Sequence, residues 1–445
     1  MASTSGKPKT PYKRRSKISQ TAAESSDDLD EDKPLQQILS CMARKKKRVS
    51  EQKNATLPED LIHTEILPRL PEKYILRCRL VCKSWNSLFS TLAFVNSHIT
   101  KEKDRIIVKR DGFNDGVDIL THTDSIPVVE VPCAFDTDTL IGSINGLIAM
   151  ASKRGSRFCL WNPATGHVKL FDFPPRHLHL EYEFGHYVGG FCWDHVQNDY
   201  KVFMICYDPK ISPRQICVYS TNSAIWTCLS IPQNLMFRRL YDCLWVSPPG
   251  PSTIVKGTPY WSYSKSLTFP GHKRKRKFFF TFKFVPEINE FRKLPDINSL
   301  KFRVSNFTIT NIKDRLVGMA YKLVEHGETM VDVYSLDDEE SGTGVWSKMY
   351  SIGPVYFDSN QRLLQAFRNG GQVLIRGDSG PLTFYDPKTK ETKSIAGTTC
   401  TRTFLRGFDA QCHSYTPSLV RVRGMESMQN FSTKGKRKKL KKFAL

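Results

Sequence analysis

Five stretches of this chain are built alike, and their likeness narrows the folds open to it. RFCLWNPATGHVKLF (157–171), QICVYSTNSAIWTCL (215–229), FFFTFKFVPEINEFRKL (278–294), TMVDVYSLDDEESGTGVWSKM (329–349) and GPLTFYDPKTKETKSI (380–395) each join an apolar or aromatic run to a polar turn and a second extended run. Asn162-Pro163 through Gly166, and Asp386-Pro387 with Lys388 and Thr389, carry the residue types of tight turns. Further β-like runs come ahead of them: NGLIAMA from 145, DYKVFMIC from 199, GTPYWSY from 257, DRLVGMA from 314 and GGQVLIR from 370. With Trp161, Tyr219, Phe284, Tyr334 and Tyr385 taken as equivalent, the spacings are 58, 65, 50 and 51 residues. That is near the length of a four-stranded propeller blade. Radial repetition hides strand edges and buries a continuous core, so a β-propeller is expected over 100–422. The uneven spacing and the presence of only two Gly-Gly pairs, Gly189-Gly190 and Gly370-Gly371, keep a pair of β-sandwiches as the competing architecture.

A shorter region, LPEDLIHTEILPRLPEKYILRCRLVCKSWNSLF from Leu57, obeys other rules. Thr56-Leu57-Pro58-Glu59 has the form of a capping box, with Pro58 tolerated in the first turn, and predicts a helix start. Ile62, Ile66 and Leu70 recur at four-residue steps, and Pro71 closes that segment because the residue before proline is pushed out of helical geometry. Ile75, Cys78, Cys82, Trp85 and Phe89 then make an apolar stripe, in one helix or two, with Arg77, Arg79, Lys83 and Asn86 outside it. A module of this size sits near the lower limit of independent stability, since each buried large hydrophobe contributes only about 1.5–3 kcal/mol. Something must cover part of its surface, either the rest of the chain or another subunit.

The residues themselves carry a family likeness. Leu57-Pro58-Glu59-Asp60-Leu61-Ile62, Glu65-Ile66-Leu67, Arg69-Leu70-Pro71 and Val81-Cys82-Lys83-Ser84-Trp85 resemble the F-box in its plant form. That resemblance implies a three-helix module binding the Skp-type adaptor of a cullin-RING ubiquitin ligase through Leu57, Pro58, Ile66, Leu67, Leu70, Pro71, Val81, Cys82 and Trp85. Ile62-His63-Thr64 places one residue more between Leu61 and Glu65 than the commonest family spacing. One extra residue would rotate the first turn by about 100° relative to the remainder of the module. Asn145-Gly146-Leu147, Trp161-Asn162-Pro163-Ala164-Thr165-Gly166, Gly190-Phe191 leading to Asn198-Asp199-Tyr200-Lys201-Val202, and YTPSLVRV (415–422) resemble the plant F-box-associated domain, a kelch-like repeat region. The expected organisation is therefore α+β multidomain: a disordered basic and acidic tail (1–52), an F-box (53–99), an all-β kelch-like propeller (100–422) and a basic disordered tail (423–445).

Charge is the unusual feature of the composition. The chain has 66 Lys and Arg against 44 Asp and Glu, but 23 of the basic residues lie in four runs at 7–17, 44–48, 273–277 and 434–442. The remaining 43 nearly balance the acidic residues, which argues against a basic nucleic-acid face on the folded body. Short Lys/Arg runs suit nuclear import, so the nucleus is the expected location, with the cytoplasm also open. The twelve cysteines show no CxxC pair, and no stretch approaches the ~18 apolar residues of a membrane span, so a soluble protein of a reducing compartment is expected.

No nucleophile elbow, phosphate loop, dinucleotide fingerprint or His-Glu-x-x-His motif occurs, and no catalytic residue, cofactor or metal is expected. His177, His179, His186, Cys192 and His195 are close in sequence but match no zinc spacing, and Asp194, Asp199 and Asp386 stand in turn contexts. The expected function is target recognition in an SCF (Skp-cullin-F-box) ubiquitin ligase. The rival readings are a non-proteolytic nuclear F-box scaffold and a nucleic-acid-associated protein using its basic tails. Candidate target-binding loops are 174–188 with Tyr182, Phe184 and Tyr187, 232–241 with Phe237, Arg238 and Tyr241, and 262–277 with its basic run.

Overall fold

The computed structural model describes residues 57–99, 105–109, 117–120, 128–129, 139–152, 157–174, 188–208, 211–230, 252–267, 276–297, 304–312, 314–324, 328–337, 344–355, 362–367, 373–376, 383–386, 388–394 and 412–429. The expected tail 1–52 and Thr56 of the capping box lie outside these residues. Pro58 stands at the N-cap without a side-chain hydrogen bond. Helix α1 (Glu59–Leu61) runs on as a π-helical turn (Ile62–Ile66) and a 3₁₀ turn (Leu67–Arg69), and Leu70 leaves in extended geometry, as Pro71 requires. The apolar stripe is divided between α2 (Glu72–Cys78) and α3 (Lys83–Leu88). A further helix, α4 (Leu92–Ile99), closes the module. Ile75, Cys78, Trp85 and Phe89 are buried, whereas Cys82 falls in the break at φ −158°, ψ 163° and is exposed.

Beyond the helices the described residues form six antiparallel sheets. Blade one contains β1 (Arg105–Lys109), β2 (Val117–Leu120) and β3 (Val128–Val129); blade two contains β4 (Thr139–Ile144), β5 (Leu147–Ser152), β6 (Arg157–Asn162) and β7 (His167–Asp172). Blade three is β8 (Val188–Asp194), β9 (Asp199–Asp208), β10 (Ile211–Ser220) and β11 (Trp226–Ser230). Blade four is β12 (Thr253–Val255), β13 (Thr258–Leu267), β14 (Arg276–Val285) and β15 (Glu290–Lys293). Blade five is β16 (Asn306–Ile312), β17 (Arg315–Leu323), β18 (Thr329–Leu336) and β19 (Trp346–Val355); blade six is β20 (Arg362–Phe367), β21 (Val373–Arg376), β22 (Thr383–Tyr385) and β23 (Thr392–Ser394). Strand β24 (Cys412–Tyr415), from the far end of the chain, pairs with β1 and completes blade one.

The inner strands of neighbouring blades adjoin around a ring: β24 meets β4, β4 meets β8, β8 meets β13, β12 and β13 meet β16, β16 meets β20, and β20 meets β24. The β-propeller expectation therefore holds over the sandwich pair. All five aromatic residues aligned from the sequence stand on the third strand of their blades, each at most 4% exposed. The core lies between blades: Phe203 on blade three, for instance, stacks on Phe284 of blade four at 4.3 Å. Gly190 makes room for this packing, since a Cβ there would stand 2.1 Å from the Phe203 ring.

Asn145 (φ 49°) and Gly146 (φ 78°) form the β4–β5 turn, whose two central positions both take the left-handed region that Asn and Gly tolerate. The β4–β5 and β6–β7 turns leave one face of the ring, and the β5–β6 and β7–β8 connections leave the other; the same alternation holds in later blades. Residues 416–425 cross the turn face, where Asn162 Nδ2 donates to the carbonyls of Ser418 (3.1 Å) and Val420 (2.8 Å). The expected tail from 423 begins too early. Strand β25 (Glu426–Ser427) pairs with β7, and Met425 is buried, so this stretch is an edge strand of blade two.

Candidate functional site

The helical module has an aromatic core of its own. Trp85 meets Phe89 edge-on at 6.0 Å, Phe89 lies 4.9 Å from Phe94, and Phe94 stacks on His98 at 6.3 Å. His98 Nε2 lies 2.8 Å from the Leu70 carbonyl oxygen, tying α4 to the end of the first helical segment. Arg79 donates to the Phe89 carbonyl (3.1 Å) and so links the end of α2 to the end of α3. The Thr91 hydroxyl accepts from the Phe94 amide at 3.3 Å and caps α4.

The nine residues singled out for adaptor contact divide into two groups. Leu67 (0% exposed) and Trp85 (2%) are inside the module's core, where they hold the surface rather than form it. Leu57, Pro58, Pro71 and Cys82 are exposed, and Ile66, Leu70 and Val81 are half-buried. Three further apolar residues stand in solvent: Leu80 at 89%, Leu92 at 61% and Leu61 at 44%. Apolar periodicity misses them because it traces the buried stripe. For Leu80 the signal is the reverse one, a leucine among the polar residues Arg77, Arg79 and Lys83 at the break between α2 and α3.

The extra residue ahead of Glu65 is absorbed locally. The Leu67 amide donates to the Ile62 carbonyl, five residues back, so one wider turn takes up the insertion. The expected rotation of about 100° is thereby removed, and Leu61 keeps its place ahead of the 3₁₀ turn.

The module stands on the turn face of the propeller. Glu72 of α2 pairs with Arg105 at 3.4 Å, and Arg105 lies opposite Tyr415, where the chain leaves β24 to cross that face. Tyr182, Phe184, Tyr187, Phe237, Arg238 and Tyr241 lie outside the described residues. The strand ends that border them, Asp172 and Val188, Ser230 and Thr253, all belong to the opposite face. The third candidate loop, 262–277, is shorter than expected: 262–267 and 276–277 are parts of β13 and β14, whose ends also lie there.

Carboxylates in the turns serve the backbone. Asp194 accepts from the Val196 (3.1 Å) and Gln197 (3.0 Å) amides, Asp199 from the Asn222 amide (3.0 Å), and Asp386 from that of Lys388 (2.8 Å). Asp194 also pairs with buried Lys201 at 2.9 Å; burial raises its pKa, but Lys201 and the two amides bring it net below the ordinary value. His195 pairs with Glu287 at 2.7 Å, Cys192 is fully buried, and His177, His179 and His186 lie outside the described residues. No group of three or more His, Cys, Asp or Glu comes together as a metal site among the described residues.

The chain matches the family model for the F-box domain over residues 56–96 and that for the F-box associated beta propeller domain over residues 118–422. An Arabidopsis thaliana F-box protein is 23% identical over 66% of this chain and 74% of its own length. The F-box protein CPR1 of the same plant is 27% identical over 45% of this chain, which spans 56% of that relative. Likeness to a GH43_12 protein from a capybara gut metagenome is slight, with a TM-score of 0.28 and 8% identity over 71% of this chain and 65% of that one.

Proposed function

This chain belongs to the family of plant F-box proteins that carry an F-box associated β-propeller, and from that premise we propose that it is the substrate-recognition subunit of an SCF ubiquitin ligase. The observation that carries this reading is the exposure of Leu80, Leu92, Leu57 and Leu61 on a module whose own core is already closed. Exposed large hydrophobes that the propeller leaves uncovered are the kind of surface a second subunit buries. In this reading Leu57, Pro58, Ile66, Leu70, Pro71, Val81 and Cys82 contact the Skp-type adaptor together with Leu61, Leu80 and Leu92, while Leu67 and Trp85 hold the module's shape.

The receptor supplies geometry and no catalytic side chain. The adaptor module stands on the turn face, and the segments holding Tyr182, Phe184, Tyr187, Phe237, Arg238 and Tyr241 begin and end on the other. A target held there stays clear of the adaptor and experiences a raised effective concentration of the ubiquitin-charged enzyme. Target half-life in plant cells, with and without residues 57–99, tests the proteolytic reading; equal half-lives would leave only scaffolding. The basic runs at 7–17, 44–48 and 434–442 support nuclear entry, which a fluorescent fusion lacking 1–52 and 434–445 tests by staying outside the nucleus.

A further inference from the structure

We propose that Cys217 and Cys228 of blade three are a redox-active dithiol that hydroperoxides close into a disulfide. The two residues stand directly opposite each other on β10 and β11. Ser220 donates its amide to the Ile225 carbonyl at 3.2 Å, and hydrogen-bonded pairs alternate with non-bonded ones along an antiparallel ladder. Val218 and Thr227 are therefore the next hydrogen-bonded pair, and Cys217 and Cys228 form a pair without such bonds. In pairs of that kind the Cα atoms are about 4.5 Å apart, inside the roughly 4.4–6.8 Å that a disulfide spans. The two thiols already meet, since Cys217 is a hydrogen-bond partner of Cys228. Among the described strands no other cysteine faces a cysteine: Cys159 lies opposite Met150 and Leu170, Cys192 opposite Lys201, Cys206 opposite Gln215 and Cys412 opposite Val108.

Burial sets the order of events. Cys217 lies opposite Met204 of β9 and is closed to solvent, whereas Cys228 is on the outermost strand of blade three and partly exposed. Cys228 is therefore the thiol that a small hydroperoxide reaches. Its sulfur takes one peroxide oxygen, giving a sulfenic acid and releasing an alcohol, or water where the oxidant is hydrogen peroxide. The Cys217 sulfur then attacks the Cys228 sulfur; the S–O bond breaks, the S–S bond forms and water carries off the remaining thiol proton. Two thiols have lost two electrons to one O–O bond. Burial and then Cys217 push the Cys228 thiol up to about 12, so little of it is thiolate at neutral pH and closure is slow. Such a clasp stays open under reducing conditions and shuts only under sustained oxidation. Closure would fasten β11 to β10, and the segment holding Phe237, Arg238 and Tyr241 follows β11 in the chain.

The test uses the reduced full chain, folded and without adaptor, with hydrogen peroxide as the oxidant and exposed Cys82 as the internal gauge of oxidation. Remaining thiols are then alkylated in denaturant, and trypsin releases 215–238 as one peptide holding these two cysteines and no other. The expected product is that peptide without alkyl groups, about 2 Da lighter than its dithiol form and restored by dithiothreitol. Amide exchange across β11 should slow as it forms. The rate of closure should rise about tenfold per pH unit and keep rising past about pH 9, where an ordinary thiol levels off. In Cys228→Ser, Cys217 should remain an alkylatable thiol after the same treatment, because the oxidant does not reach it. Two alkyl groups on 215–238 after about a thousand half-times of Cys82 oxidation at about pH 9 would overturn the proposal. So would Cys228 advancing to sulfinic acid while Cys217 stays a thiol, or Cys217 oxidising in Cys228→Ser as fast as in the parent.

Discussion

Trp85→Ala should open the helical module without opening the propeller. Trp85 is 2% exposed and begins an aromatic chain through Phe89, Phe94 and His98 to the Leu70 carbonyl. Truncating a buried aromatic costs about 3–5 kcal/mol, and losing the edge contact with Phe89 removes about 1 kcal/mol more. A core of this size rarely holds more than about 3–5 kcal/mol, so the substitution exhausts what the module has. Amide hydrogen exchange by mass spectrometry reads this directly. Residues 72–99 should lose protection, while the buried strands β5 and β9 keep theirs. Adaptor binding should be lost too, but through unfolding rather than through a missing contact. Native protection across 72–99 in the variant would refute the role given to Trp85, and loss of protection in the blades would refute the independence of the module.

Individual groups elsewhere in the chain give further tests. His413 of β24 is buried and its pKa is held down at about 4, burial outweighing a hydrogen bond to the Leu140 backbone. The unfolded chain takes up this proton at higher pH, so stability is full above about pH 6.5 and falls by about 3 kcal/mol as pH drops through 4. Urea denaturation against pH should show this loss, and His413→Gln should flatten it. Asp332 is buried between Lys322 and Lys348, the latter at 2.8 Å; burial opposes its charge, but these partners and Ser351 bring its pKa to about 2. Asp332→Ala should therefore destabilise blade five by about 3–5 kcal/mol at neutral pH, measured by chemical denaturation. In the parent, the Asp332 contribution is full above about pH 4 and is lost as pH falls through 2. Deleting Thr64 should turn the wide turn at 62–66 into ordinary α-helix; circular dichroism and thermal unfolding should show no loss of the module, and a collapse would mean the π turn is required.

The repeat was legible because each of blades two to six places one large aromatic on its third strand, and a buried aromatic marks a strand even where spacing drifts from 50 to 65 residues. Blade one escapes that pattern. Its first strand, β24, comes from the other end of the chain, and its third, Val117–Leu120, has no aromatic to align. The end of the fold near 423 was misjudged for a related reason. Two residues of edge strand around a Gly424 turn at φ 80° leave almost no periodicity to detect. In the helical module, apolar spacing found buried Ile75, Cys78, Trp85 and Phe89 but also took in exposed Cys82 and passed over buried Leu67, because a period traces one helix face and the stripe is broken between α2 and α3. The residues offered to a partner, Leu80 above all, are those that break the pattern, and only the fold shows that nothing in the propeller covers them.

The most direct measurement is the affinity of the purified full chain for a Skp-type adaptor, wild type beside a Leu80→Asp, Leu92→Asp double variant. Both leucines are exposed, so the variant should keep the parent's thermal unfolding within about 0.5 kcal/mol per site. A stable complex with the wild type and at least a hundredfold weaker binding by the folded variant is the expected result. Equal affinity for the two, or no complex with the wild type, would contradict the assignment of this surface to the adaptor.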